Sequence, residues 1–136
     1  NFILGDTDVG TALTEIFDQN ADFTTGSATG ATFTAPVTGK YVISALISLS
    51  GLTSGQNTAR INLTTSNNDF QVFTLFQFNY ADASTGTGIS QMLLVDMDAT
   101  DTYVAKQRVN SDSQTVDVLG LSSTIKRTTM SAYLAC

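Results

Sequence analysis

A chain of 136 residues, 42% hydrophobic and only 13% charged, suits one domain able to bury a core without disulfides or metal. Its formal charge of −6, with Lys and Arg scattered singly apart from Lys106/Arg108 and Lys126/Arg127, offers no field attractive to phosphate, so nucleic acid is not an expected partner. The single cysteine, Cys136, excludes an internal disulfide and reads as a small residue ending a strand, and no apolar run approaches the ~20 residues of a membrane-spanning helix.

Residues 1–10 have a short apolar start followed by Gly5-Asp6-Thr7-Asp8, and read as a linker, arm or edge strand ahead of a domain over residues 11–136. No signal peptide opens the chain, which starts at Asn1, so we expect a processed polypeptide or the ordered head of something longer. Residues 11–17 contain helix formers but alternate Leu13/Glu15/Phe17 against Thr14/Ile16 over too short a length for a stable helix, and a strand is expected. Residues 18–22 carry turn chemistry, and residues 23–34 predict two short strands around a Gly26/Gly30 loop. Pro36, the only proline, stands in a Pro-x-x-Gly spacing that ends one strand and opens another. From there Tyr41, Ile43, Ala45, Ile47 and Leu49 form the apolar face of a core strand.

Residues 50–57 read as a connection, and residues 60–65 as a half-exposed strand with Ile61 and Leu63 inward. After a turn at Asn67-Asn68-Asp69, residues 70–80 place aromatic or aliphatic groups on both sides of the pleat. Phe73 and Leu75 on the second side imply cover, with a subunit contact as the first candidate. Residues 81–88 are the most loop-like stretch. Strands follow over 89–97, 102–109, 115–119 and 126–135, with turns at 98–101 and 110–114. In residues 89–97, Ile89, Gln91, Leu93, Val95 and Met97 alternate against Ser90, Met92, Leu94 and Asp96. About eight to ten strands and no credible helix predict an antiparallel sandwich or jelly roll.

The order Phe33-Thr34-Ala35-Pro36-x-x-Gly39-x-Tyr41-x-Ile43 resembles the opening of the globular C1q domain, a relative of the tumour necrosis factor jelly rolls. Three further places fall in phase with that family: Ile16-Phe17-Asp18 with Asp22-Phe23, the segment 95–105, and Met130-Ser131-Ala132-Tyr133-Leu134. Thr100 stands where the family has glycine, and Met130 and Ala132 replace Phe and Gly, departures of a distant member. The resemblance implies a ten-stranded jelly roll forming a tight trimer, carried on a stalk and recognising proteins or glycans through outer loops. Phe73, Leu75 and Tyr133 are then the expected trimer contacts.

With no histidine, a Ser-His-Asp or Cys-His nucleophile and imidazole-dependent zinc are impossible within one subunit. A glycosidase using two of the carboxylates is the outsider, because none lies in an apolar run that would raise its pKa. Asp96, Asp98 and Asp101, with Thr100, are the candidate calcium ligands; the resemblance adds that some relatives hold calcium near the trimer axis. A plain acidic turn is the favoured reading, and no cofactor is expected otherwise. The sequon Asn62-Leu63-Thr64 falls in an expected strand and is given no weight. Candidate binding residues sit at expected loop tips: Asn67, Asn68, Asp69, Asp82, Ser84, Thr85, Thr87, Asn110 and Asp112.

The expected protein is a non-enzymatic homotrimeric head of a fibre or virion-associated assembly, at a virion or extracellular surface, attaching to a surface receptor or glycan. High Thr/Ser/Asn/Gln content and low charge favour a phage or virus fibre over an animal secreted domain. The alternatives are a trimeric capsid decoration protein contacting neighbouring virion proteins, and a bacterial surface or spore-coat structural protein.

Overall fold

Alternation in residues 41–49 produces the longest strand of a computed structural model that describes residues 2–3, 13–26, 30–52, 58–76, 87–110, 116–120 and 124–135, with backbone alone at 2–3, 72–76 and 110. Ten strands are present among these residues, and no helix: β1 (Phe2–Ile3), β2 (Phe23–Thr24), β3 (Thr32–Thr34), β4 (Gly39–Ser50), β5 (Thr58–Thr65), β6 (Asp69–Phe76), β7 (Thr87–Met97), β8 (Thr102–Asn110), β9 (Asp117–Val118) and β10 (Thr129–Leu134). They form a two-sheet antiparallel sandwich. One sheet runs β2-β3-β8-β5-β6, with β1 also on β8; the other runs β10-β4-β7, with β9 also on β4. The chain changes sheet between β3 and β4, β4 and β5, β6 and β7, β7 and β8, and β8 and β9, while β5 and β6 are neighbours.

The core lies between the sheets because the apolar row of each strand has one place to go. Tyr41, Ile43, Ala45, Ile47 and Leu49 from β4 are buried against Ala59, Ile61 and Leu63 from β5 and Tyr103 and Ala105 from β8. Both buried tyrosines have partners for their hydroxyls. Tyr41 donates to the Val37 carbonyl at 2.7 Å, tying its strand to the proline turn, and Tyr103 donates across the sandwich to the Ser44 carbonyl at 2.9 Å. Burial pushes the Tyr103 phenol far above its ordinary pKa, so it remains a donor throughout the stable range. Phe33 packs on Tyr41 with ring centroids 5.6 Å apart, which gives the Phe-x-Ala-Pro-x-x-Gly-x-Tyr spacing a structural purpose.

Three expectations change. The described part of the strand expected over 11–17 is not a strand. Residues 13–17 join no ladder: Leu13 packs against the core and donates its N–H to the Thr25 carbonyl at 2.7 Å, while Ile16 and Phe17 stand exposed. The Asp18 carboxylate accepts from the backbone N–H groups of Asn20, Asp22 and Phe23, and Ala21 takes a φ of 57°, so the chain turns sharply just after the segment. Second, β6 does not keep one phase. Its register against β5 shifts between Ile61 and Asn62: Gln71 lies opposite Asn62, but Phe73 lies opposite Ile61 and Leu75 opposite Ala59. The single alternation expected over residues 70–80 is therefore broken by one residue of register beside Val72. Third, Thr87 and Gly88 belong to β7, where Thr87 lies opposite Leu49.

Thr100 has a φ of 77°, a conformation that costs a β-branched residue energy and glycine none. Thr100→Gly should raise the urea midpoint, by up to about 1 kcal/mol of stability. Leu63→Ala should lower stability by about 2–5 kcal/mol through the cavity it leaves. Equilibrium urea unfolding followed by circular dichroism checks both.

Candidate functional site

The expected loop tips separate to two ends of the sandwich. Strand direction brings the turns at 36–38, 66–68 and 98–101 together at one end. Thr87 and Asn110 sit at the other, opposite Leu49 and Thr58. Asp82, Ser84, Thr85, Asp112 and Cys136 lie outside the described residues.

At the first end, most of the polar groups expected to meet a ligand hold the turns to one another. Asn67 donates its amide to Asp101 Oδ2 at 2.8 Å, and the same oxygen accepts the Asp98 N–H at 2.9 Å. Thr38 links Asp98 Oδ1 at 3.4 Å to the Ala99 N–H at 3.1 Å. The Ser66 hydroxyl accepts the Thr102 N–H at 2.7 Å. Asp69 is the first residue of β6 rather than a tip, and its carboxylate accepts from Asn62 at 3.1 Å and Thr64 at 2.8 Å. Asn67 and Asn68 are exposed there, beside the exposed residues of the 36–38 and 98–100 turns.

The three candidate calcium ligands do not converge. Asp96 projects from the outer face of β7 and pairs with Lys40 at 2.9 Å, while the Asp98 and Asp101 carboxylates accept the bonds just described. Among the described residues no group of three His, Cys, Asp or Glu side chains is placed to hold a metal.

Two other features stand out; of the first, sequence reasoning named only Tyr133, and it passed over the second. One is the outer face of the β10-β4-β7 sheet. Register aligns Tyr133, Val42 and Leu94 in one row across the three strands, Ser131, Ser44 and Met92 in the next, and Thr129, Leu46 and Ser90 in a third. Met92, Leu94 and Tyr133 are 64%, 61% and 58% exposed, so the apolar stripe faces outward. The alternation in residues 89–97 already put Met92 and Leu94 opposite the core row, and that was the available signal. The second feature is a groove of about 1020 Å³ between residues 13–23 and β10, reaching Phe33 and Tyr41 at its floor. It could not be read in sequence, because it exists where an expected strand is missing.

No protein-family model matches the chain, and no curated protein matches it.

Burial raises the Asp69 pKa slightly, but the bonds from Thr64 and Asn62, with Lys106 and Arg60 nearby, hold it below its ordinary 3.8. A carboxylate whose folded pKa is depressed contributes stability above its unfolded pKa and loses it as pH falls through the folded value. Asp69→Ala should therefore lower the melting temperature by a few degrees at neutral pH. The gap to the unsubstituted chain should close as pH is taken well below 3.8, which thermal melts across a pH series measure.

Proposed function

We propose that this chain is the non-enzymatic globular head of a larger fibre or virion-associated assembly, that it works as a homotrimer, and that it attaches the assembly to a surface receptor or glycan. The observation that carries the reading is the outward apolar stripe of half-buried Val42 and Leu46 with exposed Met92, Leu94 and Tyr133 on the outer face of the β10-β4-β7 sheet. A contiguous patch of this kind on a sheet face marks an interaction surface, and a second and third copy of the chain are the occupants its charge pattern suits. Of the β4, β7 and β10 residues pointing to that face only Lys40 and Asp96 are charged, and they pair with each other. Bringing copies together there sets no like charges against one another, although each chain carries −6 overall.

The jelly-roll reading draws support from nesting. β5 pairs with β6, β4 with β7 and β3 with β8, so the chain is one long hairpin folded over into two sheets. Support for the C1q-like assignment comes from the roles of Phe33, Tyr41 and the turn between them, and from the positive φ at Thr100. Attachment fits the end of the sandwich where Asn67 and Asn68 stand exposed on turns braced from below, a polar surface held in one shape.

Light scattering on a size-exclusion column tests the assembly. The expected mass is three times that of the chain, and Leu94→Lys with Met92→Lys should yield monomers with an unchanged far-ultraviolet spectrum, each charge weakening association by roughly tenfold or more. A sharp monomer mass for the unsubstituted chain at micromolar concentration would overturn the trimer. Loss of binding to glycan arrays or host cells in an Asn67→Ala, Asn68→Ala trimer is the expected result for the attachment surface.

A further inference from the structure

The groove beside β10 has a repeating wall. Ala135 donates its N–H to the Lys40 carbonyl at 2.7 Å, which fixes the phase of the β10–β4 ladder. In an antiparallel pair, residues alternate between those that exchange both backbone bonds with the partner and those that turn both groups the other way. Thr129, Ser131 and Tyr133 therefore bond to β4. Met130, Ala132 and Leu134 turn their N–H and C=O groups to the opposite edge, along the groove, where no strand pairs with β10 among the described residues. These groups recur about every 6.8 Å, the repeat of a second extended backbone.

The rest of the groove states what such a backbone would carry. Its inner side reaches Phe23, Phe33 and Tyr41 at the open edge of the sandwich, and its far wall presents Ile16 and Phe17, 67% and 76% exposed. A strand laid on β10 alternates side chains between these surroundings and the outer face near Tyr133, so apolar residues fit at every second position. Among the described residues, every charged one lining the groove is acidic: Glu15, Asp18 and Asp22. Asp18 spends its oxygens on backbone N–H groups, which leaves Glu15 and Asp22 to meet a cation.

We propose that this groove binds an extended peptide segment of a partner polypeptide, about six residues long, apolar at alternate positions and flanked by Lys or Arg, which adds to β10 as a further strand. A small apolar ligand would use the walls but leave the row of backbone groups unmet. The site lies on the edge of β10 and shares Ser131 and Tyr133 with the outer face of its sheet, but its row of backbone groups belongs to one chain, so peptide binding is read by anisotropy separately from the mass that tests the assembly.

The test is fluorescence anisotropy of the full chain with a labelled peptide Lys-Ile-Thr-Val-Thr-Ile-Lys. Controls are the same peptide with Glu for both Lys, and one N-methylated at alternate residues to remove its edge donors. Saturable binding is expected, with about tenfold or greater loss on N-methylation, on Lys-to-Glu exchange and in the Glu15→Lys variant. Ala132→Pro removes one groove-facing N–H while sparing the β4 ladder and should weaken binding similarly. If that variant does not fold, slowed amide exchange at Met130, Ala132 and Leu134 when peptide is added to the unsubstituted chain replaces it. No saturable binding at millimolar peptide, equal binding of the N-methylated peptide, or no protection of those three amides would overturn the proposal.

Discussion

Strand β4 has to satisfy a core on one side, neighbours on both edges and an outward face at the same time, and the rest of the molecule is arranged around how it does so. Its inward row is buried from Tyr41 to Leu49, which commits the opposite sheet to present Ile61, Leu63 and Tyr103. Its edges are taken by β7 along nearly the whole length and by β10 and β9 in succession on the other side. The junction of those two short partners is bridged by Thr128, whose hydroxyl donates to the Leu119 carbonyl at 2.7 Å and accepts the Ser48 N–H at 3.2 Å. A buried threonine in that position makes two separate strands behave as one edge.

Hydroxyl groups serve different ends in the core and at the surface. Inside, each tyrosine hydroxyl meets a backbone carbonyl, so a polar atom is buried at no cost in lost bonding. Outside, short side chains such as Thr38, Ser66, Asn67 and Asp101 connect turns that the backbone alone would leave independent. This is how a chain with few charges and no disulfide keeps a loop end in shape: many short neutral bonds replace a few strong ones. It also accounts for the failure of the acidic turn to gather into a metal site, since its carboxylates are already acceptors within the turn.

Much of the fold was legible because period-two alternation is a local signal. Residues 41–49, 61–63 and 89–97 each carry it clearly, and each became a strand with the expected row inward. The Pro36 turn and the short strands around Gly26 and Gly30 were legible from residue type. What escaped the reading was non-local. A bulge beside Val72 changes the phase of β6 by pairing with β5, and nothing within residues 70–76 announces it. Residues 13–17 alternate properly but have no ladder in the described structure, and alternation by itself supplies no hydrogen bonds. The exposed stripe at Met92 and Leu94 is the outward row of a strand whose inward row carries Ile89, Val95 and Met97 into the core.

The nested pairing has a consequence for how the molecule comes to be folded. Within the nest only β5 and β6 are close enough in the chain to find each other cheaply, as β2 and β3 are outside it, whereas each pair further out, β4 with β7 and then β3 with β8, must close a longer loop. Folding of such a topology is slow and proceeds outward from the middle of the sequence. Until β7 and β10 arrive, β4 presents a buried-type row and two unpaired edges to whatever is nearby, so the strand that organises the finished domain is also its main liability during synthesis.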